Sequence, residues 1–442
     1  MQRTKTRFLA SALPVAVLSA LTGCSDEAGS HCRHRVCDIT DPSCVDVVAE
    51  VVACQRDVPF LLPEVRFMTQ AELVAERETP SAEQLEFERD YWAGEALVGL
   101  MPEGYDPANA VSDSLSGVLA QYRPSTEEIV IVSDSAIDDE ATAYRVLVHE
   151  LIHAHQDVDY DLEALWEQRA TSFPRSLGLR AVVEGEAVLF TNLADLEIEG
   201  IDEERIDWDG YFRNWQDEML ASGRASQTPS LDVSGLFPYA FGGELVHRAW
   251  QVAGLRSVRD AVTNPPDSVR QAMGRLGYNR YDALNLDEEM APHAVPVLPG
   301  YVYLSGGGQD AWLLNTMLQR IAGSDAPWAS RVGMVEADHL SVWRDEVDGT
   351  RVAIWRLMGD TEMILEMLQD PWSEWSTDAA EATHYFMRTE GADWVLVASE
   401  SDNAVEIADA ITGWQSREDA LATSELTRDA TPRRLVLGHH AH

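Results

Sequence analysis

The stretch from Val146 to Asp157, which reads VLVHELIHAHQD, constrains the fold more than any other part of the chain. His149 and His153 are four residues apart, so a helix places both imidazoles on one face, where they can bind one metal ion. Glu150 lies between them and can take a proton from a water on that metal, because zinc lowers the pKa of its bound water to about 7. The pattern therefore predicts a helix that carries two zinc ligands and a general base.

The residues around this stretch favour a buried helix with one polar face. Asp138, Asp139 and Glu140 precede it and suit a helix N-terminus, where the backbone N–H groups and the helix dipole favour acidic side chains. The other faces are apolar and carry Tyr144, Leu147, Val148, Leu151 and Ile152. Two histidines packed in an ordinary core helix are the alternative interpretation.

The charge balance limits the classes of partner. The 442 residues include 33 basic and 75 acidic side chains, which gives a net charge of -42, and Lys5 is the only lysine. We therefore expect no nucleic-acid partner, since binding to phosphates depends on Lys and Arg. An acidic surface could attract cationic substrates, but it is more commonly a solvated face that keeps a protein soluble.

The N-terminus has the pattern of a bacterial lipoprotein signal. Three basic residues in the first seven positions precede a short apolar segment, Phe8 to Leu21, which is too brief to span a membrane as a mature helix. The sequence LTGC that ends at Cys24 resembles a lipobox, whose cysteine is acylated and becomes the new N-terminus. We therefore expect residues 1–24 to direct export and Cys24 to anchor the protein to the cell envelope. An ordinary signal peptide that contains a cysteine is the alternative.

Four further cysteines follow in a short stretch: Cys32, Cys37, Cys44 and Cys54. An even number in an exported chain fits two disulfides, for which three pairings are possible. A metal knuckle that uses His31 or His34 is the alternative, although the spacings lack the CxxC pairs of common zinc modules. We expect residues 25–62 to form a small disulfide-stapled neck between the anchor and the body.

Helical and extended patterns alternate before the HExxH motif, which is formed by His149 to His153. Helices are predicted for Thr69 to Glu78 and for Ala82 to Leu100, with Ser81 as the N-cap of the second and Thr69 as that of the first. Leu119 to Arg123 and Ile129 to Ser133 are predicted as short strands on either side of a Pro-Ser-Thr turn. An edge strand at this place could align an extended peptide through its backbone groups.

A zinc site of this kind needs a third protein ligand and leaves the fourth position for water. The segment Ala181 to Asn192, AVVEGEAVLFTN, is an apolar helical stretch that contains two glutamates. Glu184 and Glu186 are two residues apart, so a helix cannot direct both at the metal. One of the two is expected to be the ligand, and a solvated helix face is the alternative.

The combination of HExxH with EGEA resembles the gluzincin metallopeptidases, in which a downstream glutamate completes the zinc site. Aminopeptidases of that clan carry this ligand in an NEGFA-type sequence, and by that similarity Glu184, which precedes a glycine, is the third ligand here. The resemblance implies a zincin-like fold and one Zn²⁺ held by His149, His153 and Glu184. It also implies that Glu150 activates water for the hydrolysis of peptide bonds.

A more extended resemblance covers about Glu64 to Tyr281. Secreted or lipid-anchored bacterial proteins that are regarded as zinc peptidases share a tyrosine-rich strand turn, HELxHAxQD, an EGEA-type segment, FPYxxG and PPxSxxQ in this order. The matching segments here are Tyr122 to Val132, His149 to Asp157, Glu184 to Ala187, Phe237 to Gly242 and Pro265 to Gln271.

Other polar residues near these motifs are candidates for supporting roles. Tyr239 in FPYxxG could donate a hydrogen bond to the oxyanion of a tetrahedral intermediate, as Tyr or His does in several gluzincins, and a core tyrosine beside a proline is the alternative. Gly242 and Gly243 would allow another helix to approach closely. His155 and His247 are expected to pack rather than bind metal. Asp157 is expected either to orient a ligand or to lie exposed at the helix end.

The C-terminal part changes to a pattern of strands followed by helices. After a loop from Pro292 to Gly308 and a helix around Asp310 to Ile321, two hairpins are predicted, each followed by a helix. The first unit comprises Leu340 to Arg344, Arg351 to Met358 and Asp360 to Leu368, and the second comprises Tyr385 to Arg388, Trp394 to Ser399 and Asn403 to Gly413. Residues 291–442 are therefore predicted to form an α+β subdomain of two ββα units, next to a metallopeptidase domain of residues 63–290.

Taken together, the patterns predict an α+β protein. We expect a zincin-like, mainly helical catalytic domain with a small sheet beside the HExxH helix, and a C-terminal α+β subdomain. The expected function is the hydrolysis of a peptide or protein substrate by a zinc enzyme on the cell envelope. A non-catalytic envelope lipoprotein that uses the fold for binding or structure is the alternative, because an intact motif indicates capacity and not turnover.

Overall fold

The computed structural model describes residues 32–77, 80–137, 139–169, 173–267, 269–273, 298–322, 335–359, 383–388 and 394–411. Within these ranges helices dominate, and two small sheets complete a mixed α+β architecture, as predicted. The predicted signal segment and Cys24 lie outside them. None of the helices in these ranges combines the length and the apolar character needed to cross a membrane.

The elements are numbered in chain order. The helices are α1 (Pro42–Arg56), α2 (Gln70–Ala75), α3 (Ala82–Leu97), α4 (Ala110–Leu115), α5 (Glu140–Tyr160), α6 (Leu162–Arg169), α7 (Phe173–Glu199), α8 (Trp208–Ala225), α9 (Pro229–Ala253), α10 (Leu255–Thr263), α11 (Val269–Ala272), α12 (Asp310–Ala322) and α13 (Ala404–Ala410). The strands are β1 (Glu64–Met68), β2 (Ala120–Arg123), β3 (Glu128–Val132), β4 (Tyr301–Gly307), β5 (Val335–Asp345), β6 (Arg351–Gly359), β7 (Thr383–Arg388) and β8 (Trp394–Ser399).

The first sheet lies beside α5 and has the strand order β1-β3-β2. β2 and β3 form the predicted antiparallel pair, with Tyr122 opposite Ile129. β1 pairs with β3 in parallel and has no counterpart in the sequence prediction. Its sequence, EVRFM, alternates polar and apolar residues over only four positions, which is too short to predict a strand and its partner, and only Met68 is buried.

The predicted HExxH helix is α5. Its N-cap is Asp139, whose side chain accepts a hydrogen bond from the backbone N–H of Thr142. It ends at Asp161, which adopts the left-handed conformation with φ 54°. The apolar side chains of α5 pack in one core with α1, β2, β3 and α7. This packing on several sides makes α5 a firm support for the residues of HExxH.

α7 and α9 approach each other more closely than side chains at the contact would allow. A Cβ atom on Gly242 would overlap the backbone carbonyl of Ala181, and one on Gly185 would overlap the carbonyl of Gly242 itself. The glycines of EGEA and FPYxxG therefore let two backbones touch. Since Tyr239 is one turn before Gly242, the same contact brings the tyrosine close to α7.

The N-terminal cysteines select one of the three possible disulfide pairings. Cys32 pairs with Cys54 and Cys37 with Cys44, with Cα separations of 5.6 and 5.8 Å. His34 forms hydrogen bonds with the hydroxyl of Tyr144 and with Gln55, at 2.7 and 2.8 Å. With all four cysteines in disulfides, no thiolate is left for the metal knuckle, and His34 fastens this segment to α5. His31 lies outside the described residues.

The segment predicted as a neck contributes a helix to the core. Val48 and Ala49 of α1 are fully buried and pack with α5 and α7 in one apolar cluster. The two disulfides therefore fasten a core helix and not a separate stalk. The sequence prediction emphasised the cysteines and did not include the apolar run of α1, which is what determines its place.

The second sheet is antiparallel and has the strand order β4-β5-β6-β8-β7. Both predicted hairpins are present, and Gly349, with φ +80°, lies in the turn between β5 and β6. α13 follows the second hairpin, as predicted. The helix predicted for residues 360–368 falls outside the described residues. The prediction of a loop through Gly308 is wrong for β4, which pairs with β5. Tyr301, Val302 and Tyr303 favour a strand, whereas the glycines that follow them favour a loop.

The second sheet does not form a core of its own. Leu97 and Val98, at the end of α3, belong to one buried cluster with Trp355 of β6, Leu396 of β8 and Leu314 of α12. Residues on both sides of the predicted boundary at residue 290 therefore share a hydrophobic core. The two parts of the chain depend on each other for burial.

Replacing Gly242 with alanine is expected to destabilise the protein by about 1–3 kcal/mol, because the added methyl group forces α7 and α9 apart. Gly235 is on the same helix with open space around its Cβ direction, so Gly235→Ala serves as the control. That change is expected to be neutral or stabilising by up to about 1 kcal/mol. Urea unfolding followed by circular dichroism measures both, and equal midpoints would contradict the role of the close contact.

Candidate metal centre

The two histidines of HExxH lie on one face of α5, as their spacing predicts. The ring centroids of His149 and His153 are 4.8 Å apart. The side chain of His153 is almost fully buried, whereas that of His149 is 16% exposed. The site is therefore reached from solvent on the side of His149.

Glu184 of α7 completes the group. Its Oε2 atom lies 3.1 Å from Nε2 of His149 and 3.5 Å from Nε2 of His153. Three ligand atoms, one from each of these residues, lie within 4.8 Å of one another. Tetrahedral ligands at about 2.0 Å from a zinc ion would be about 3.3 Å apart, close to the two separations from Glu184. The three residues form a group that could hold a metal ion.

Glu186 points away from the histidines and is neutralised elsewhere. Its Oε1 atom accepts a hydrogen bond of 2.6 Å from Arg56 of α1, and both side chains are 1% exposed. Asp159 lies 3.3 Å from the same guanidinium. The choice between the two glutamates, which their spacing leaves open, is thus made by the fold, because it brings Glu184 to the histidines and Glu186 to an arginine.

Gln156 connects this buried ion pair to His153. Its Nε2 atom donates to Oε2 of Glu186 and to the carbonyl of Val183, both at 2.9 Å. Because an amide nitrogen facing two acceptors leaves the amide oxygen on the other side, Oε1 accepts a hydrogen bond from Nδ1 of His153, at 2.8 Å. This bond places the proton of His153 on Nδ1 and leaves the Nε2 lone pair directed at the metal position.

Burial and the contacts among His149, His153 and Glu184 determine which of these side chains are charged. Burial alone would lower the pKa of His153, but the carboxylate of Glu184 outweighs it and raises that pKa to about 9. At neutral pH, His153 therefore carries a second proton, on Nε2, when no metal is bound, and metal binding must displace this second proton.

Glu150 is a buried carboxylate of α5, close enough to both histidines for their charges to act on it. Burial raises the pKa of its carboxyl, while the nearby His153 and His149 favour the ionised form. The carboxylate accepts a hydrogen bond from the backbone N–H of Tyr122 in β2. Its Oε2 atom is buried and has no hydrogen-bond partner in the described part of the chain. One oxygen is thus held by the edge strand and the other is available for a proton.

Tyr239 of α9 lies at the same group. Its ring is stacked beside His149 with the centroids 6.0 Å apart, and its hydroxyl hydrogen-bonds with Glu184. Burial and the negative charge of Glu184 raise the pKa of the phenol well above its usual value, so the hydroxyl stays protonated and acts as a donor. The FPYxxG segment therefore places a hydrogen-bond donor next to the candidate ligands.

The other polar candidates, His247, His155 and Asp157, make contacts that indicate a role in packing and not in metal binding. His247 is buried and packs on Trp208 with the ring centroids 4.4 Å apart, and burial lowers its pKa to about 4. His155 is also buried, and burial together with Arg56 lowers its pKa to about 4. Asp157 accepts a hydrogen bond of 2.9 Å from the hydroxyl of Tyr122, so it fastens the end of α5 to β2 and orients no ligand directly.

Sequence reasoning did not identify Gln156 or Arg56. The position of Gln156, three residues after His153, is a signal that could have been used, because such residues are neighbours on a helix. Arg56 gives no comparable signal. It is 130 residues from Glu186, and only the fold brings them together.

Comparison of the chain with models of known families, with curated proteins and with solved structures yields no significant match. What the site can do must therefore be inferred from its own residues.

Gln156→Leu is expected to weaken zinc binding by about 10- to 100-fold, because His153 loses the hydrogen bond that fixes its proton on Nδ1. Gln216, which is also buried and donates one hydrogen bond to Glu244, provides the matched control Gln216→Leu. Competition against a chromogenic chelator measures the affinity. A similar loss in both variants would indicate a general loss of structure and contradict the specific role of Gln156.

The two glutamates are expected to respond differently to removal of their charge. Glu186→Gln should retain the metal but lower the free energy of unfolding by about 3 kcal/mol, because it leaves the Arg56 guanidinium buried without its main counter-charge. Glu184→Gln should abolish stoichiometric metal binding. Metal content and urea unfolding of the metal-free proteins distinguish the two outcomes. Loss of metal from Glu186→Gln with retention in Glu184→Gln would reverse the assignment.

Proposed function

We propose that this protein is a zinc metallopeptidase of the gluzincin type with a zincin-like catalytic domain, exported and anchored to the cell envelope through lipid on Cys24. The observation that carries this proposal is the convergence of His149, His153 and Glu184 beside the buried carboxylate of Glu150. Two imidazoles and one carboxylate are a common ligand set for catalytic zinc. The ordered sequence motifs add support from the same residues.

Three protein ligands would leave the fourth coordination position of a zinc ion for water or substrate. A zinc ion held by these three side chains would polarise a peptide carbonyl and acidify a water molecule. Glu150 would take the proton of the attacking water on its unpaired oxygen and later transfer that proton to the nitrogen of the leaving amine. Tyr239 would donate its hydroxyl hydrogen bond to the oxygen on which negative charge develops.

The edge strand β2 is suited to aligning a peptide beside Glu150. The backbone N–H of Val132 donates to the carbonyl of Leu119, so Leu119 and Gln121 direct their backbone groups at β3. The backbone groups of Ala120 and Tyr122 therefore face the free edge, where the N–H of Tyr122 already reaches Glu150. An extended peptide pairing along this edge would pass next to the base.

The alternative function is that of a non-catalytic envelope lipoprotein that binds metal or another protein through the same fold. The buried Gln156 and Glu186, which support His153, would be as useful for metal binding alone as for catalysis. The two functions differ in the role they give to Glu150, which supports turnover but is not a ligand.

Glu150→Gln is expected to retain one zinc ion per chain and to lower peptide cleavage by about 10²- to 10⁴-fold, because the amide cannot accept the proton. Zinc is measured by mass spectrometry of the purified protein, and cleavage is measured with a peptide library. Glu140→Gln, an exposed change in the first turn of α5, is the control and should leave both unchanged. Stoichiometric zinc with no cleavage that depends on Glu150 would favour the binding function, and absence of zinc would exclude the site.

A further inference from the structure

Arg180 lies on α7 one turn before Glu184. Residues four apart on a helix share a face, with about 6 Å between them along the axis. The positive charge of Arg180 acts on the hydroxyl of Tyr239, and that hydroxyl hydrogen-bonds with Glu184. On α9, Tyr239 is one turn from Gly242, whose backbone contacts Ala181. These relations place Arg180 at the border of the metal centre.

Arg180 has no counter-charge of its own. Across the ranges that the structure describes, no side chain forms an ion pair or hydrogen bond with its guanidinium, which is only partly exposed. Three other arginines of the helical part are each paired with a carboxylate: Arg56 with Glu186, Arg145 with Asp195 and Arg175 with Asp267. An unpaired and partly buried arginine is unexpected in a chain with 75 acidic and 33 basic residues.

We propose that Arg180 binds the C-terminal carboxylate of the substrate, so that the protein acts as a carboxypeptidase that removes one or two residues. This inference rests on the proposed peptidase function and specifies its substrate class. A guanidinium is suited to the task because its planar fork donates two parallel hydrogen bonds to one carboxylate.

The distance between Arg180 and the ligand group limits which carboxylate can be bound. An extended peptide advances about 3.3–3.6 Å per residue. The Arg180 backbone lies about one helical turn, or about 6 Å, from that of Glu184, which is about the length of two residues of extended peptide. The Arg180 side chain is therefore within range of a carboxylate one or two residues beyond the scissile bond. A terminal carboxylate has the same distance from that bond whatever the side chains are, so one fixed arginine can select the chain end.

The charges at the site also favour an anionic substrate group. A divalent ion beside Glu150 and Glu184 is balanced by their two negative charges. The charge of Arg180 is then left over, and a single carboxylate would neutralise it. The competing role is contact with the developing oxyanion at the scissile carbonyl. That role would act on every peptide bond alike, whereas recognition of the chain end would depend on a free C-terminus.

The test uses one peptide library synthesised in two forms, with free and with amidated C-termini. The mature zinc-loaded protein is expected to release one or two residues from the free form, and amidation should lower kcat/KM by about 10- to 100-fold. Arg180→Gln should remove this difference by slowing cleavage of the free form alone. Arg180→Lys keeps the charge and should restore part of the preference. Arg175→Gln, on the same helix but farther from Glu184, is the control and should preserve it.

Three cleavage results would overturn the proposal, and the first two concern the response to amidation. One is cleavage at internal bonds with no effect of amidation on the wild-type protein. The other is an equal fall for both library forms in Arg180→Gln, which would assign the arginine to the oxyanion. A preference for Asp or Glu near the scissile bond that persists after amidation would also overturn it, because a side-chain carboxylate would then be the group recognised.

Binding provides a measurement that does not need turnover. In Glu150→Gln, a fluorescent peptide with a free C-terminus is expected to bind about 10- to 100-fold more tightly than its amide, and Arg180→Gln added to this variant should abolish the difference. Zinc retained and cleavage controlled by Glu150, with equal binding of the two peptides, would refute the role of Arg180 alone. Absence of zinc or of cleavage that depends on Glu150 would refute the proposed function instead.

Discussion

Burial of two carboxylates on α7 governs how the surrounding elements assemble. Glu184 and Glu186 are both removed from solvent, and a buried carboxylate is strongly unfavourable unless it meets a cation or hydrogen-bond donors. Glu186 is neutralised by Arg56 of α1, and Glu184 meets the histidines of α5 and the hydroxyl of Tyr239. Two carboxylates two residues apart thus bring different parts of the chain to opposite sides of one helix.

This arrangement connects the N-terminal helix to the candidate metal centre. Arg56 ends α1, which is fastened by the disulfide at Cys54, and it pairs with Glu186. Glu186 in turn accepts a hydrogen bond from Gln156, and Gln156 accepts the one from His153. Each bond in the series fixes the direction of the next, because an arginine only donates and a carboxylate only accepts. A segment that lies far before the HExxH helix in the chain therefore sets the proton position of a candidate ligand.

On the other side of α7, close packing against α9 determines where the side chains lie. Glycines at positions 185 and 242 let α9 touch α7, and this brings Tyr239 to within hydrogen-bonding distance of Glu184. Arg180 lies on the same side, one turn away. The groups that we propose to contact the substrate are thus positioned by close backbone packing, whereas the groups that support the ligands are positioned by buried charge. The two sets meet at Glu184.

Local sequence patterns were sufficient to predict many of the helices and strands. The spacing of His149 and His153, the apolar helix around Glu184 and the alternation in the two C-terminal hairpins each predict their element, because helix and strand periodicities repeat over a few residues. The same periodicity shows that Glu184 and Glu186 cannot both be ligands. It cannot show which one is, because that depends on where Arg56 lies.

Only the tertiary structure could place the remaining elements. β1 and β4 are strands because they pair with β3 and β5, and α1 belongs to the core because α5 offers it an apolar face. Pairing, burial and charge compensation join residues that are far apart in the chain, and the sequence pattern of one segment does not indicate which distant segment it meets. The sequence by itself therefore determined the HExxH helix, the two candidate glutamates and the hairpins. The fold decided which glutamate joins the two histidines and what supports the group, because both depend on which distant side chains share a buried space.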